Sequence, residues 1–140
     1  MNKVLHRVAI AILVAAIAVA YHNTLHSPFL FDDIPNIIDN DNNHLSRLAP
    51  SSLKKLFPPA RATVARIFAH LTFAVNYFFG ELDPFGYHLV NSSIHILNAI
   101  LLFHLFTWYL RQDADMRDRA EYPALLCALL WATSPVQVTA

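Results

Sequence analysis

Two adjacent carboxylates, Asp32 and Asp33, follow a long apolar segment near the start of the chain. Ionised side chains beside a lipid bilayer are costly unless they are solvated, paired or used. A carboxylate can take the proton of a hydroxyl group as a general base. Because Asp is also a common cap, a helix start or a solvated turn is the structural alternative. The pair is therefore the first candidate for a chemical centre.

Several histidines and further carboxylates stand close to this pair in the sequence. His22 and His26 are one helical turn apart, and His44 follows Asp39 and Asp41. These nitrogen and oxygen donors are types that divalent metals accept. No cysteine joins them and their spacing corresponds to no closed site. A divalent-metal-binding membrane segment, with the metal unspecified, is thus an alternative hypothesis.

The composition is typical of a membrane protein. Of 140 residues, 56% are hydrophobic and only 14% are charged, against about 25% charged in soluble domains. Few glycines and many Leu, Ile and Ala residues favour helices, so we predict an all-α integral membrane fold with the lipid bilayer as a partner. The net charge is zero with scattered basic residues, which gives no indication of a nucleic-acid partner.

The first apolar segment, residues 4–21, has the length of either a short span or the apolar part of a signal peptide. Its uninterrupted part, residues 8–21, covers about 21 Å as a helix, against roughly 30 Å of hydrocarbon. A cleavable signal peptide remains an equal alternative from these residues alone. Lys3 and Arg7 predict a cytoplasmic amino terminus in both cases.

Residues 22–86 are too polar and too rich in proline to span, and we expect them to form an extracytoplasmic loop with short amphipathic helices. Ser51 or Ser52 could cap one such helix over residues 53–57. Residues 68–80 show helical apolar spacing but are too short to cross a bilayer. They form either an interfacial helix or one that packs on neighbouring spans.

We expect a second span over residues 87–110, and its outer half is polar. His88, Asn91, His95 and Asn98 share one helical face. Polar groups in a span face either a wet cavity or another helix, so this face predicts a cavity wall or a set of interhelical hydrogen bonds.

Residues 111–122 are charged and predict a cytoplasmic loop. Residues 123–140 predict a third span, which Pro135 interrupts well short of a crossing. A helix that ends inside the membrane is not expected at a domain boundary, so the sequence predicts a truncated membrane domain.

The ordered motifs resemble the transmembrane and tetratricopeptide-repeat family of O-mannosyltransferases. They are Tyr21–Asp33, Ile37–Asn40, Arg66, Leu71–Tyr77, Asp83–Asn91, His95 and Leu129–Gln137. The resemblance implies the amino-terminal part of a GT-C-type multi-span bundle, and it favours an uncleaved first span. It also implies transfer of a hexose such as mannose from a polyprenyl-phosphate donor to a protein or glycan hydroxyl, with inversion.

The same resemblance places the catalytic carboxylate at Asp32 or Asp33. Arg66 and His88, together with Lys54 and Lys55, are then candidates to bind the donor phosphate. Asn91 and His95 are candidates for the cavity wall. The fragment is expected to be inactive alone, and a non-catalytic membrane remnant is the alternative. Short loops favour a bacterial cytoplasmic membrane.

Overall fold

The computed structural model describes residues 3–47, 49, 56 and 64–134, with side chains from residue 67 onward in the last range. The predicted helix over residues 53–57 lies outside the described residues apart from Leu56, as do Lys54 and Lys55. The described residues form helices and turns, which confirms the all-α prediction. The long helices are α1 (Lys3–Tyr21), α2 (Val64–Gly80), α3 (Pro84–Leu110) and α4 (Glu121–Ala132). Short helical turns cover His22–His26, Ile34–Ile38 and Asp41–Asn43.

Two of these segments are long and apolar enough to cross a membrane. They are Lys3–His26, with 24 residues, and Pro84–Leu110, with 27 residues. Only 17% and 11% of their most apolar windows are buried, whereas the core helix of a soluble protein is mostly buried. These apolar exposed helices indicate a membrane protein. A larger multi-span bundle stays a prediction.

The chain divides into two compact units, and the first comprises residues 3–23 and 91–134 of the described chain. Its core joins α1, α3 and α4 through Leu13, Ile17 and Phe103, each at most 1% exposed. α4 contributes alanines at every fourth position, Ala124, Ala128 and Ala132, all 0% exposed, and its N-cap residue Ala120, also 0% exposed, continues this spacing. Small residues at this spacing lie on one helical face and let neighbouring helices approach closely.

This close approach makes the alanine stripe sensitive to added volume. We expect Ala128→Leu to destabilise the protein by about 1–3 kcal/mol, because inserted methylenes force packed side chains apart. Cys127→Leu is the matched control, since Cys127 is the exposed neighbour on the same helix. Unfolding in mixed detergent micelles should separate the two variants. Equal stabilities would show that α4 is not tightly packed along this stripe.

An ion pair ties the end of α3 to the start of α4 in the same unit. The Arg111 guanidinium donates to the carboxylate of Glu121. The Glu121 side chain is only 6% exposed and that of Arg111 is 28% exposed. Because a buried carboxylate is costly without a partner, this ion pair keeps the start of α4 next to the end of α3.

The second unit, Thr24–Val90, carries the acidic pair. Its small apolar core joins Leu45 and Leu56 to Ala74 of α2. α2 leaves Phe68 and Phe79 67% and 79% exposed. Both the interfacial and the helix-packing interpretation of α2 therefore stay open.

Candidate functional site: the acidic turn at Asp32 and Asp33

The two carboxylates occupy different environments although they are adjacent. The Asp33 carboxylate accepts a hydrogen bond from the Leu30 amide at 3.1 Å, and the Asp33 amide donates to the Leu30 carbonyl at 3.0 Å. Asp32 is exposed. Among the described residues, its carboxylate has no hydrogen-bond or ion-pair partner. Asp33 thus closes the turn, and Asp32 is the carboxylate left accessible.

Phe31, which immediately precedes the pair, has an unusual backbone conformation. Its φ of 46° lies in the left-handed region, which costs roughly 1–2 kcal/mol for an L-residue with a side chain. Its ring is 88% exposed. The hydrogen bonds between Leu30 and Asp33 span this residue and help to offset the strain.

The segment before the turn is attached to the start of α3. The His88 ring donates through Nε2 to the Ser27 carbonyl at 2.9 Å. The Phe29 ring packs edge-on against Tyr87, with centroids 5.2 Å apart. His88 therefore holds the entry to the acidic turn, and only its Nδ1 would be left to meet a phosphate.

Removing the His88 contact should loosen this entry. We expect His88→Ala to increase amide exchange over residues 24–30 by about fivefold, the effect of losing roughly 1 kcal/mol of hydrogen bonding. Asn91→Ala is the control, because Asn91 is exposed on the same helix. Hydrogen exchange read by mass spectrometry measures both. Unchanged exchange in the His88 variant would refute a positioning contact.

The segment after the turn is attached to α2. His44 donates through Nε2 to the Ile37 carbonyl at 2.9 Å and stacks on Tyr77 with ring centroids 4.3 Å apart. Ile37 is 3% exposed. These contacts hold the turn over Ile34–Ile38, directly after the acidic pair.

The remaining polar side chains of α3 have different surroundings. His95 donates through Nε2 to the Ala132 carbonyl at 2.9 Å, and the Tyr21 hydroxyl donates to the same oxygen at 2.9 Å. These two donors satisfy a carbonyl at the end of α4 that the helix itself leaves unpaired. Asn91 and Asn98 are exposed. His95 thus makes the interhelical hydrogen bond that was one of the two alternatives, and the cavity role of Asn91 and His95 stays a prediction.

Two further predictions concern Arg66 and a metal site. Arg66 lies in the first turn of α2, and its side chain lies outside the described residues. Among the residues that the structure describes, no three His, Cys, Asp or Glu side chains come close enough together to hold a metal ion. His22 instead donates through Nδ1 to the Val19 carbonyl at 2.8 Å.

Sequence reasoning missed the residues that support the turn from a distance. Asn43 is 1% exposed and lies between the acidic turn and α2. Its place in a run of Asp and Asn residues suggested only a solvated loop. Tyr21 ends the apolar run of residues 8–21 in the sequence, and in the structure its hydroxyl caps α4. A lone hydroxyl next to a predicted span was the only available signal for that role.

Comparisons with known proteins define the class. Over 94% of its length the chain is 28% identical to Protein O-mannosyl-transferase TMTC3 of Mus musculus and 32% identical to Protein O-mannosyl-transferase Tmtc3 of Drosophila melanogaster. It is also 32% identical to Protein O-mannosyl-transferase Tmtc1 of Drosophila melanogaster over 61% of its length. No family model matches the chain. No solved structure matches it either.

The chain is thus homologous to proteins named as O-mannosyl-transferases. Similarity across 94% of its residues confirms the predicted resemblance to the transmembrane and tetratricopeptide-repeat family. The chain spans about 11% to 16% of the length of these curated relatives. The activity of the full-length relatives is therefore only proposed for this chain.

Proposed function

We propose that the chain forms the first helices and the acidic loop of a GT-C-type membrane glycosyltransferase. The enzyme would move a hexose such as mannose from a polyprenyl-phosphate donor to a hydroxyl of a protein or glycan. The observation that carries the proposal is the exposed Asp32 carboxylate, which has no partner among the described residues and stands on a turn that is attached on both sides. Homology to O-mannosyl-transferases supports the reaction type.

In the proposed reaction Asp32 takes the proton of the acceptor hydroxyl. The hydroxyl oxygen attacks the anomeric carbon while the bond from that carbon to the phosphate oxygen breaks, and the phosphate leaves with the electron pair. A single displacement of this kind inverts the anomeric carbon. Arg66 and His88 are the groups of this chain that we assign to the leaving phosphate, His88 as an imidazolium that donates through Nδ1 while its Nε2 donates to the Ser27 carbonyl.

The proposed orientation places the amino terminus in the cytoplasm and the acidic loop on the opposite face of the membrane, because Lys3 and Arg7 precede the first helix. A bacterial cytoplasmic membrane stays a prediction from the sequence, since the relatives named above are animal proteins. We also propose that the 140-residue chain alone does not complete the transfer, because it matches so small a part of these relatives.

A chimera tests the proposal. The aligned segment of the mouse relative is replaced by this chain, and mannose transfer from a radiolabelled polyprenyl-phosphate donor is measured in isolated membranes. We expect transfer within about tenfold of the unmodified relative, because the same base would be presented on the same loop. A second chimera carries an unrelated pair of spans with a loop of equal length. If both chimeras are equally inactive at equal expression, the proposed function is wrong.

A further inference from the structure

A chain of hydrogen bonds runs from α2 to the backbone of the acidic turn. The His70 ring donates through Nδ1 to the side-chain oxygen of Asn43 at 3.1 Å. The Asn43 amide donates to the Asn36 carbonyl at 2.7 Å. The side-chain amide of Asn36 then donates to the Asp32 carbonyl, also at 2.7 Å. Three hydrogen bonds thus connect a helix to the residue that presents the accessible carboxylate.

Burial distinguishes the members of this chain. Asn43 is 1% exposed, and both ends of its amide group are paired. A buried amide that lost one partner would keep an unsatisfied polar group away from water, which is costly. Asn43 therefore fixes the separation between α2 and the turn. Asn36 is exposed and acts only as the last link.

We infer that His70, Asn43 and Asn36 are positioning residues that set the orientation of Asp32, an inference that rests on the proposed function of Asp32 as the base. The backbone N–H of Asn36 donates a second hydrogen bond to the Asp32 carbonyl, at 3.3 Å. Two donors from one residue on one carbonyl fix the local peptide plane. The direction of the adjacent Asp32 side chain follows from that plane, because χ1 preferences depend on the backbone.

A hydrogen-exchange experiment on the full chain in lipid nanodiscs tests this inference. His70→Leu should raise amide exchange over residues 32–39 about tenfold, because it breaks the hydrogen-bond chain that runs through Asn43 to these residues, the nearest of which is 31 positions away in sequence. His70→Asn should restore exchange to within about twofold, because its side-chain amide can donate from nearly the same place as the ring Nδ1.

Thr72→Val is the matched control on α2. The Thr72 hydroxyl donates to the Ala69 carbonyl within the helix at 2.8 Å, so its loss removes a hydrogen bond without touching the turn. Asn36→Asp is the second variant, since an exposed position tolerates it and the carboxylate cannot donate to Asp32. It should raise exchange at the turn while exchange near Asn43 stays unchanged.

The outcomes separate this inference from the proposed function. Unchanged exchange in His70→Leu, or an equal rise in Thr72→Val, overturns the positioning role. In the chimera, His70→Leu should lower kcat about tenfold with the donor KM unchanged, and His70→Asn should recover it. If Asp32→Asn leaves transfer intact, the proposed function fails, while the exchange data still decide whether the hydrogen-bond chain holds the turn.

Discussion

Replacing Asp32 by Asn in the chimera is expected to reduce mannose transfer by about 100-fold or more. General base catalysis by a positioned side chain contributes roughly 10²–10⁴ to the rate, and Asn keeps the shape of Asp32 while removing its basicity. The exposed carboxylate has no partner among the described residues, so the substitution breaks no side-chain contact. Folding and expression should therefore stay unchanged.

Asp39→Asn is the control for loss of charge on the same loop, because Asp39 is an exposed carboxylate just beyond the same turn. Initial rates at saturating donor and acceptor should match those of the unsubstituted chimera. Equal rate losses for the two variants would point to the net charge of the loop and away from a base at Asp32.

The largest expected effect on stability comes from the ion pair at the end of α3. Arg111→Met should destabilise the protein by about 3 kcal/mol or more, because it leaves the buried Glu121 carboxylate without its cation. The long apolar stem of Met replaces the packing of the Arg stem, so the loss reports mainly on the unpaired charge.

The double variant Arg111→Met with Glu121→Gln is expected to recover part of this loss, since a neutral amide costs less to bury than a carboxylate. Reversible unfolding in mixed micelles, analysed as a double-mutant cycle, measures the coupling. A single and a double variant of equal stability would show that Glu121 does not depend on Arg111.

The helices could be predicted from the sequence because long apolar runs leave few other structures. Residues 4–21 and 87–110 are apolar over many turns, and α1 and α3 lie over them. Element ends were less predictable. α4 begins at Glu121, ahead of Pro123. The Glu121 carboxylate accepts a hydrogen bond from Arg111, and a negative charge is favourable in the first turn of a helix.

The difference between Asp32 and Asp33 could not be predicted. Two adjacent carboxylates have the same composition around them, and a left-handed conformation at Phe31 decides which of them turns back to the Leu30 amide. Nothing in a Phe residue signals that conformation, since it is unfavourable for Phe.

Long-range polar contacts were equally difficult to predict from the sequence. The sequence predicted that His95 faces either a cavity or another helix. In the structure its Nε2 donates to the Ala132 carbonyl at the end of α4, so this nitrogen makes the contact with another helix. The pairing of Asn43 with His70 joins residues 27 positions apart. Such contacts depend on where two segments meet in space, and no periodicity along the chain records that.

The most direct test of the account compares Asp32→Asn with Asp33→Asn in single-turnover transfer by the chimera. The side-chain oxygen of Asn at position 33 can still accept the hydrogen bond from the Leu30 amide, so this variant should transfer within about fivefold of the unsubstituted chimera. Asp32→Asn should be slower than Asp33→Asn by at least about 20-fold. Equal rates, or a greater loss in Asp33→Asn, would contradict the assignment of Asp32 as the base.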